Sequence, residues 1–196
     1  PAALMTGLAR LGAVASVRAE HGHPRADETE PFGYKDGVRN VRRNRRTGVV
    51  LVDRDVLPEE PEWAQNGTYM AWMKIPQDLN AFAALPEAEQ DTVMGRDKTG
   101  RRLDLPAATR DEPDADASLL PPASHVRKAG PRGTGRDGTE IFRRGLPFAE
   151  AVGGQIAVGL QFVSFQASLD QLRVVLNRWM LNPDFPVRGC GQDALL

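Results

Sequence analysis

The 196-residue sequence has one cysteine, three histidines and only 6% aromatic residues, and its charges almost cancel, at −1. The lone thiol, Cys190, excludes an internal disulfide framework and a thiolate metal cage, and it fits a reducing compartment, with the cytoplasm favoured. Near-zero net charge argues against nucleic acid held by the field of the whole chain, leaving only local patches to consider. No run reaches the roughly 18–20 apolar residues of a spanning helix, so no membrane partner is expected. Nor does the start read as a signal peptide. What is plentiful is punctuation: 19 glycines and 15 prolines predict long ordered loops between few regular elements. Hydrophobic residues, at 41%, suffice for the core of one domain.

Leu4, Leu8 and Leu11 stand at helical spacing within residues 2–13, and a short β-like run, Val14 to Val17, follows. Alternation over 67–75 (GTYMAWMKI) predicts a strand, with Met70, Trp72 and Met73 read as its core. A helix is predicted from about Gln77 to Met94, with a break at Pro86. Residues 95–140 show little periodicity, which points to functional loops. Order returns in a short strand, Ile141–Arg144, a longer buried one, Ile156–Gln166, and an amphipathic helix from Leu169 to Met180 with Leu172, Val175, Leu176 and Trp179 on one face. This succession predicts an α+β fold, an antiparallel sheet with helices on one face.

Three segments carry the candidate chemistry. Gly33-Tyr34-Lys35-Asp36-Gly37 places a carboxylate on a glycine-flanked turn. Ser124-His125-Val126-Arg127-Lys128-Ala129-Gly130-Pro131-Arg132 trails three cations behind a histidine. Ile141-Phe142-Arg143-Arg144-Gly145-Leu146-Pro147-Phe148 leads into Gly159-Leu160-Gln161-Phe162-Val163-Ser164-Phe165-Gln166. Singly, each has a plain explanation: a turn, a solvated histidine, surface charge.

In this order, the segments resemble dye-decolourising peroxidases, a haem peroxidase family marked by GxxDG, a later proximal histidine and a distal arginine. EPFGYKDG, GTYMAWMKIPQDLNAF, MGRDKTGRRL, SHVRKAGPR, IFRRGLPF and FQASLDQLRVVLNRWMLNPDFP extend the resemblance over roughly residues 29–190. It implies the second half of a two-module, ferredoxin-like fold, with residues 1–30 ending the first module and 31–196 forming the haem-binding one. It also implies haem b (iron protoporphyrin IX) held by His125. Asp36 would move the peroxide proton, and Arg143 would stabilise charge on the departing oxygen. Arg127 and Arg132 would pair with the propionates, and Leu160 and Phe162 would line the distal pocket. Hydrogen peroxide and bulky aromatic donors are the implied reactants, with an acidic optimum because Asp36 works ionised in a reaction that benefits from acid.

The sequence departs from the family in places. Asn40 and Val41 stand where the family commonly has a Gln-Pro pair, and Gln161 stands where an apolar residue is usual. Family members are longer, and the carboxylate that orients the proximal histidine is expected beyond Leu196. Three alternatives then stand open: the sequence is a fragment, a homo-oligomer or second polypeptide completes the fold, or the pocket has degenerated. The rival readings are a haem-iron-releasing relative, a non-catalytic haem-binding protein, and a nucleic-acid binder using the arginines at 39, 42, 43, 45 and 46. Gly133-Thr134-Gly135-Arg136-Asp137-Gly138 matches GxGxxG but neither follows a strand nor opens a helix, and Glu20, His21 and His23 read as a solvated loop before they read as a metal site.

Overall fold

The computed structural model describes residues 19–109, 112, 116–130 and 138–196. The helix predicted over 2–13, the run Val14 to Val17, Arg132 and most of the GxGxxG segment lie outside the described residues.

One antiparallel sheet is built from β1 (Tyr69–Pro76), β2 (Phe142–Val152) and β3 (Gln155–Gln166), in the order β1-β3-β2. The helices are α1 (Arg46–Val50), α2 (Leu79–Ala83), α3 (Glu87–Met94), α4 (His125–Lys128) and α5 (Leu169–Arg173). α5 runs on into a wider π-helical stretch, Val174–Met180, where the Leu181 N–H reaches back to the Leu176 carbonyl. This is the α+β architecture predicted from the pattern of elements.

The local chemistry explains most boundaries. The predicted helix over 77–94 is two helices. Asp78 caps the first by accepting the Ala81 N–H at 2.9 Å, and Pro86, unable to continue a helix, precedes the second. Within 95–140 the four-residue α4 is the one helix or strand among the described residues. It follows a Pro-Pro pair and ends at a C-cap on Ala129, just ahead of Gly130. Val175 and Trp179 are buried as the amphipathic pattern requires, and Trp179 stacks on Phe185 with centroids 5.8 Å apart.

Two expectations need correcting. The short strand at 141–144 is the start of an 11-residue strand paired with β3 from Phe142↔Phe165 to Val152↔Gln155. Gly145 and Pro147 weaken its local β signal, but β2 is an edge strand, where a proline leaves no ladder bond unmade. Its hairpin turns at Gly153-Gly154, both at positive φ, the backbone that a tight two-residue connection demands. Second, Met70 and Trp72 are not strand core: they are 62% and 42% exposed, on the sheet face opposite Met73.

Candidate functional site

The register of the sheet sorts its side chains. Cross-strand partners share a face, so Arg143 with Ser164, Gly145 with Phe162 and Met73, and Pro147 with Leu160 and Ile75 all lie on one side. Leu160 and Phe162 thereby share a sheet face with Arg143. Gln161 points the other way. It is buried there, donating to the His21 carbonyl at 2.8 Å, and its oxygen accepts from the Trp72 indole at 3.4 Å. The polar residue at this position is thus a stitch between the sheet and residues 21–23, outside the Arg143 face.

Asp36 reaches the same face from the 28–40 loop. Glu30 organises that loop: its carboxylate accepts the Phe32 and Tyr34 amides, both at 3.0 Å. Burial pushes Glu30 above the usual carboxylate range against those two donors, and it feels the charges of both His125 and Asp36. Gly33 and Gly37 sit at φ +83° and +71°, where a side chain would be strained. Tyr34 anchors the turn in the core. Its hydroxyl donates to Asp91 at 2.6 Å and the Lys98 ammonium lies 3.7 Å over its ring; burial, then the Asp91 carboxylate, push the phenol pKa up.

One Asp36 oxygen accepts the Gly37 N–H at 2.6 Å. The other lies 3.1 Å from the point where a Cβ on Gly145 would stand, a point also within 3.2 Å of the Leu160 methyls. The missing side chain at residue 145 thus gives the Asp36 carboxylate its close approach to β2. The loop is tied down four residues later, where Asn40 donates to the Arg143 carbonyl at 2.6 Å and its oxygen faces the Arg143 N–H at 3.4 Å. The departure at residue 40 thus supplies the tie between the Asp36 loop and β2. Burial pushes the Arg143 guanidinium below the usual arginine range; Asp36 opposes this, Arg96 adds to it and Glu112 opposes it. A cavity of about 410 Å³ flanks the Asp36 loop, lined by Lys35, Val38, Arg96, Arg101, Arg102 and Glu112 among others.

His125 opens α4 and is paired. Its Nδ1 lies 2.8 Å from Asp193 Oδ2, and that carboxylate is fully buried. This corrects the expectation that the orienting carboxylate falls beyond Leu196: Asp193 is 68 residues downstream, and the chain returns it to the ring. Burial raises the Asp193 pKa. The His125 ring and its hydrogen bond, the Leu195 N–H and the Lys128 charge together outweigh that and hold it below the usual value. Among the described residues Nε2 makes no hydrogen bond. The arrangement suits a metal ligand, since a carboxylate on one ring nitrogen orients the other and raises its basicity.

Arg127 goes elsewhere. Its guanidinium donates to the Leu120 carbonyl at 2.6 Å, bracing the small core of Ala117, Leu120 and Val126. Of the arginine run, Arg39 pairs with Glu112 at 3.8 Å, Arg45 with Glu140 at 2.8 Å, and Arg46 lies 4.7 Å over Phe142. These three serve the fold, which weakens a nucleic-acid role for the run. Glu20 is taken by Lys74 at 2.7 Å, and no group of three or more metal-ligating side chains occurs among the described residues. No helix there is long and apolar enough to cross a membrane.

The sequence assigns no role to Asp193, Lys128 or Glu30, and marks Asn40 only as a departure beside the GxxDG turn.

Residues 27–187 match the family model described as Dyp-type peroxidase, C-terminal. The deferrochelatase of Escherichia coli strain K12 is 32% identical over 150 residues, covering 71% of this chain and 35% of its own. That of Yersinia pestis is also 32% identical, over 71% of this chain and 34% of its own. The chain thus spans about a third of the length of the curated relatives it matches. Among solved structures, the dye-decolorizing protein from Vibrio cholerae superposes with a TM-score of 0.70 at 23% identity, over 98% of this chain and 55% of that one. A DypB variant from Rhodococcus jostii RHA1 in complex with heme gives 0.67 at 24% identity, over 89% and 51%. These likenesses establish the ferredoxin-like fold.

Proposed function

The chain belongs to the Dyp-type peroxidase family, and from that membership we propose that it forms the haem-holding part of a peroxidase that reduces hydrogen peroxide and oxidises bulky aromatic donors. The observation that carries the reading is the His125–Asp193 pair, a carboxylate buried on one ring nitrogen with the other left without a hydrogen bond among the described residues. The donor set fits haem: a porphyrin would bring four nitrogens of its own to the iron, so a single imidazole, that of His125, would suffice to hold it. Haem, when bound, supplies the iron at which peroxide is reduced and from which oxidising equivalents reach a donor.

The protein's own residues do the rest. Asp193 holds the imidazole in one tautomer, with Nδ1–H donated to the carboxylate and Nε2 free to ligate. Asp36, when ionised, accepts the proton of the inner peroxide oxygen and returns it to the outer one, so the departing oxygen leaves as water. Arg143, a fixed cation on the same face, stabilises negative charge on that oxygen. Leu160 and Phe162 keep the face apolar and limit what approaches to small molecules; a bulky donor then gives up its electron at the surface. Arg127, committed to Leu120, is withdrawn as a propionate partner. Arg132 keeps its proposed role on the resemblance alone.

Titrating the purified protein with hemin should produce a Soret band that His125→Ala abolishes. Asp36→Asn and Arg143→Leu should keep the band and lose peroxide-driven dye oxidation by about 100-fold or more. Unchanged turnover in both variants, or a pH profile rising steadily into the alkaline range, would sink the assignment of Asp36 and Arg143. A second reading, release of iron from haem with the porphyrin left whole, is favoured by the 32% identity to deferrochelatases. It predicts the appearance of fluorescent metal-free porphyrin, where a peroxidase leaves the haem iron in place.

A further inference from the structure

Lys128 stands three residues after His125 on the same turn of α4, and it is fully buried. Side chains three apart on a helical turn project to the same side. An ammonium in the interior is costly unless its three N–H donors are all met. Here they are met by backbone carbonyls of one segment: Asn182 at 2.9 Å, Phe185 at 2.6 Å and Gly191 at 2.6 Å. The Cys190 thiol donates to the same Phe185 carbonyl at 2.9 Å and closes the loop on itself.

That segment ends two residues before Asp193. The Asp193 N–H bonds to the Met180 carbonyl at 2.8 Å, and the Leu195 N–H returns to its Oδ1 at 3.0 Å. A single helical turn therefore grips the 182–193 stretch twice, once by the ammonium and once by the imidazole. Without the first grip, the buried carboxylate depends on a long irregular loop to stay within 2.8 Å of Nδ1.

We propose that Lys128 is a positioning residue for the proximal pair: by clamping the carbonyls of 182, 185 and 191 it sets Asp193 on His125, and so sets the donor strength of the ligating nitrogen. The link to a ligand rests on the haem reading above; the clamp itself does not.

The test compares Lys128→Met, Lys128→Arg and Asp193→Asn, each checked for folding by circular dichroism. In the haem-free protein, proton NMR reads exchange of the His125 Nδ1–H with solvent. Met at 128 should speed that exchange by at least about tenfold, as Asn at 193 does, and Arg should restore most of the protection. In the hemin-loaded, reduced protein, the iron–histidine stretching frequency of the Met variant should fall toward that of Asp193→Asn, and the double variant should go no lower. A folded Met variant that keeps both the protected proton and the wild-type frequency overturns the proposal. Should Lys128→Met not fold, Lys128→Gln takes its place, with the same signals deciding. If the wild type takes up no haem, the functional reading falls, and the exchange measurement still decides the clamp.

Discussion

On the side of Asp36 and Arg143 the backbone does the holding, whereas around His125 the side chains themselves are clamped. Asp36 is exposed, and its place is set by main-chain bonds of the 28–40 loop and by Asn40 gripping the backbone of Arg143. Asp193 and Lys128, by contrast, have buried side chains, each with several hydrogen-bond partners. The difference follows from the roles proposed. A group that exchanges protons with a diffusing reactant has to stay reachable, so only its base can be fixed. A ligand that must keep one tautomer and one orientation benefits from a dry, fully bonded surround.

The sharpest way to break this comparison is to remove each side in turn. Asp193→Asn should weaken haem retention by about 10–100-fold, read by transfer of hemin to an apo-globin acceptor, while Arg143→Leu leaves retention unaltered. Equal losses from both would show that the two sides are not separable. A smaller effect is expected at Gly145. Alanine there puts a Cβ 3.1 Å from an Asp36 oxygen, so the carboxylate must give way by a few tenths of an ångström. Peroxide turnover should fall about tenfold with the Soret band intact.

Asn40→Ala should cost about 1 kcal/mol in urea unfolding, the worth of its bond to the Arg143 carbonyl. A loss of stability with turnover unchanged would place Asn40 in the fold alone. The weakest effect belongs to Glu30. Its native pKa is raised above the ordinary 4.5, so the native state holds the proton more tightly than the unfolded chain does. The stabilisation is complete below pH 4.5 and is lost as pH rises through the native value. Glu30→Gln should flatten that decline in unfolding free energy measured from mildly acidic to neutral pH. An unchanged slope would assign the decline to another group.

The distal side was the more legible of the two. A carboxylate between glycines on a turn announces itself within five residues, and β1 declares its strand by alternation. β2 hid behind Gly145 and Pro147, residues that read against a strand; the edge position tolerates the proline, and the Asp36 carboxylate lies close over the bare glycine. Gln161 read as a flaw in an apolar pocket until the pleat turned it to the opposite face. The proximal side was nearly illegible. In the sequence Lys128 is just one of three cations trailing a histidine, and Arg127, its neighbour with the same charge, does an unrelated task.

By itself the chain order of residues determined which groups can do chemistry and where the backbone turns sharply, because turns, caps and alternation are contacts between near neighbours. The pairing of His125 with Asp193 across 68 residues, and the burial of an ammonium among three carbonyls, came only with folding. Nothing local distinguishes a lysine or an aspartate that will be buried from one that stays in water; that difference arises when a distant loop closes over it and removes the solvent.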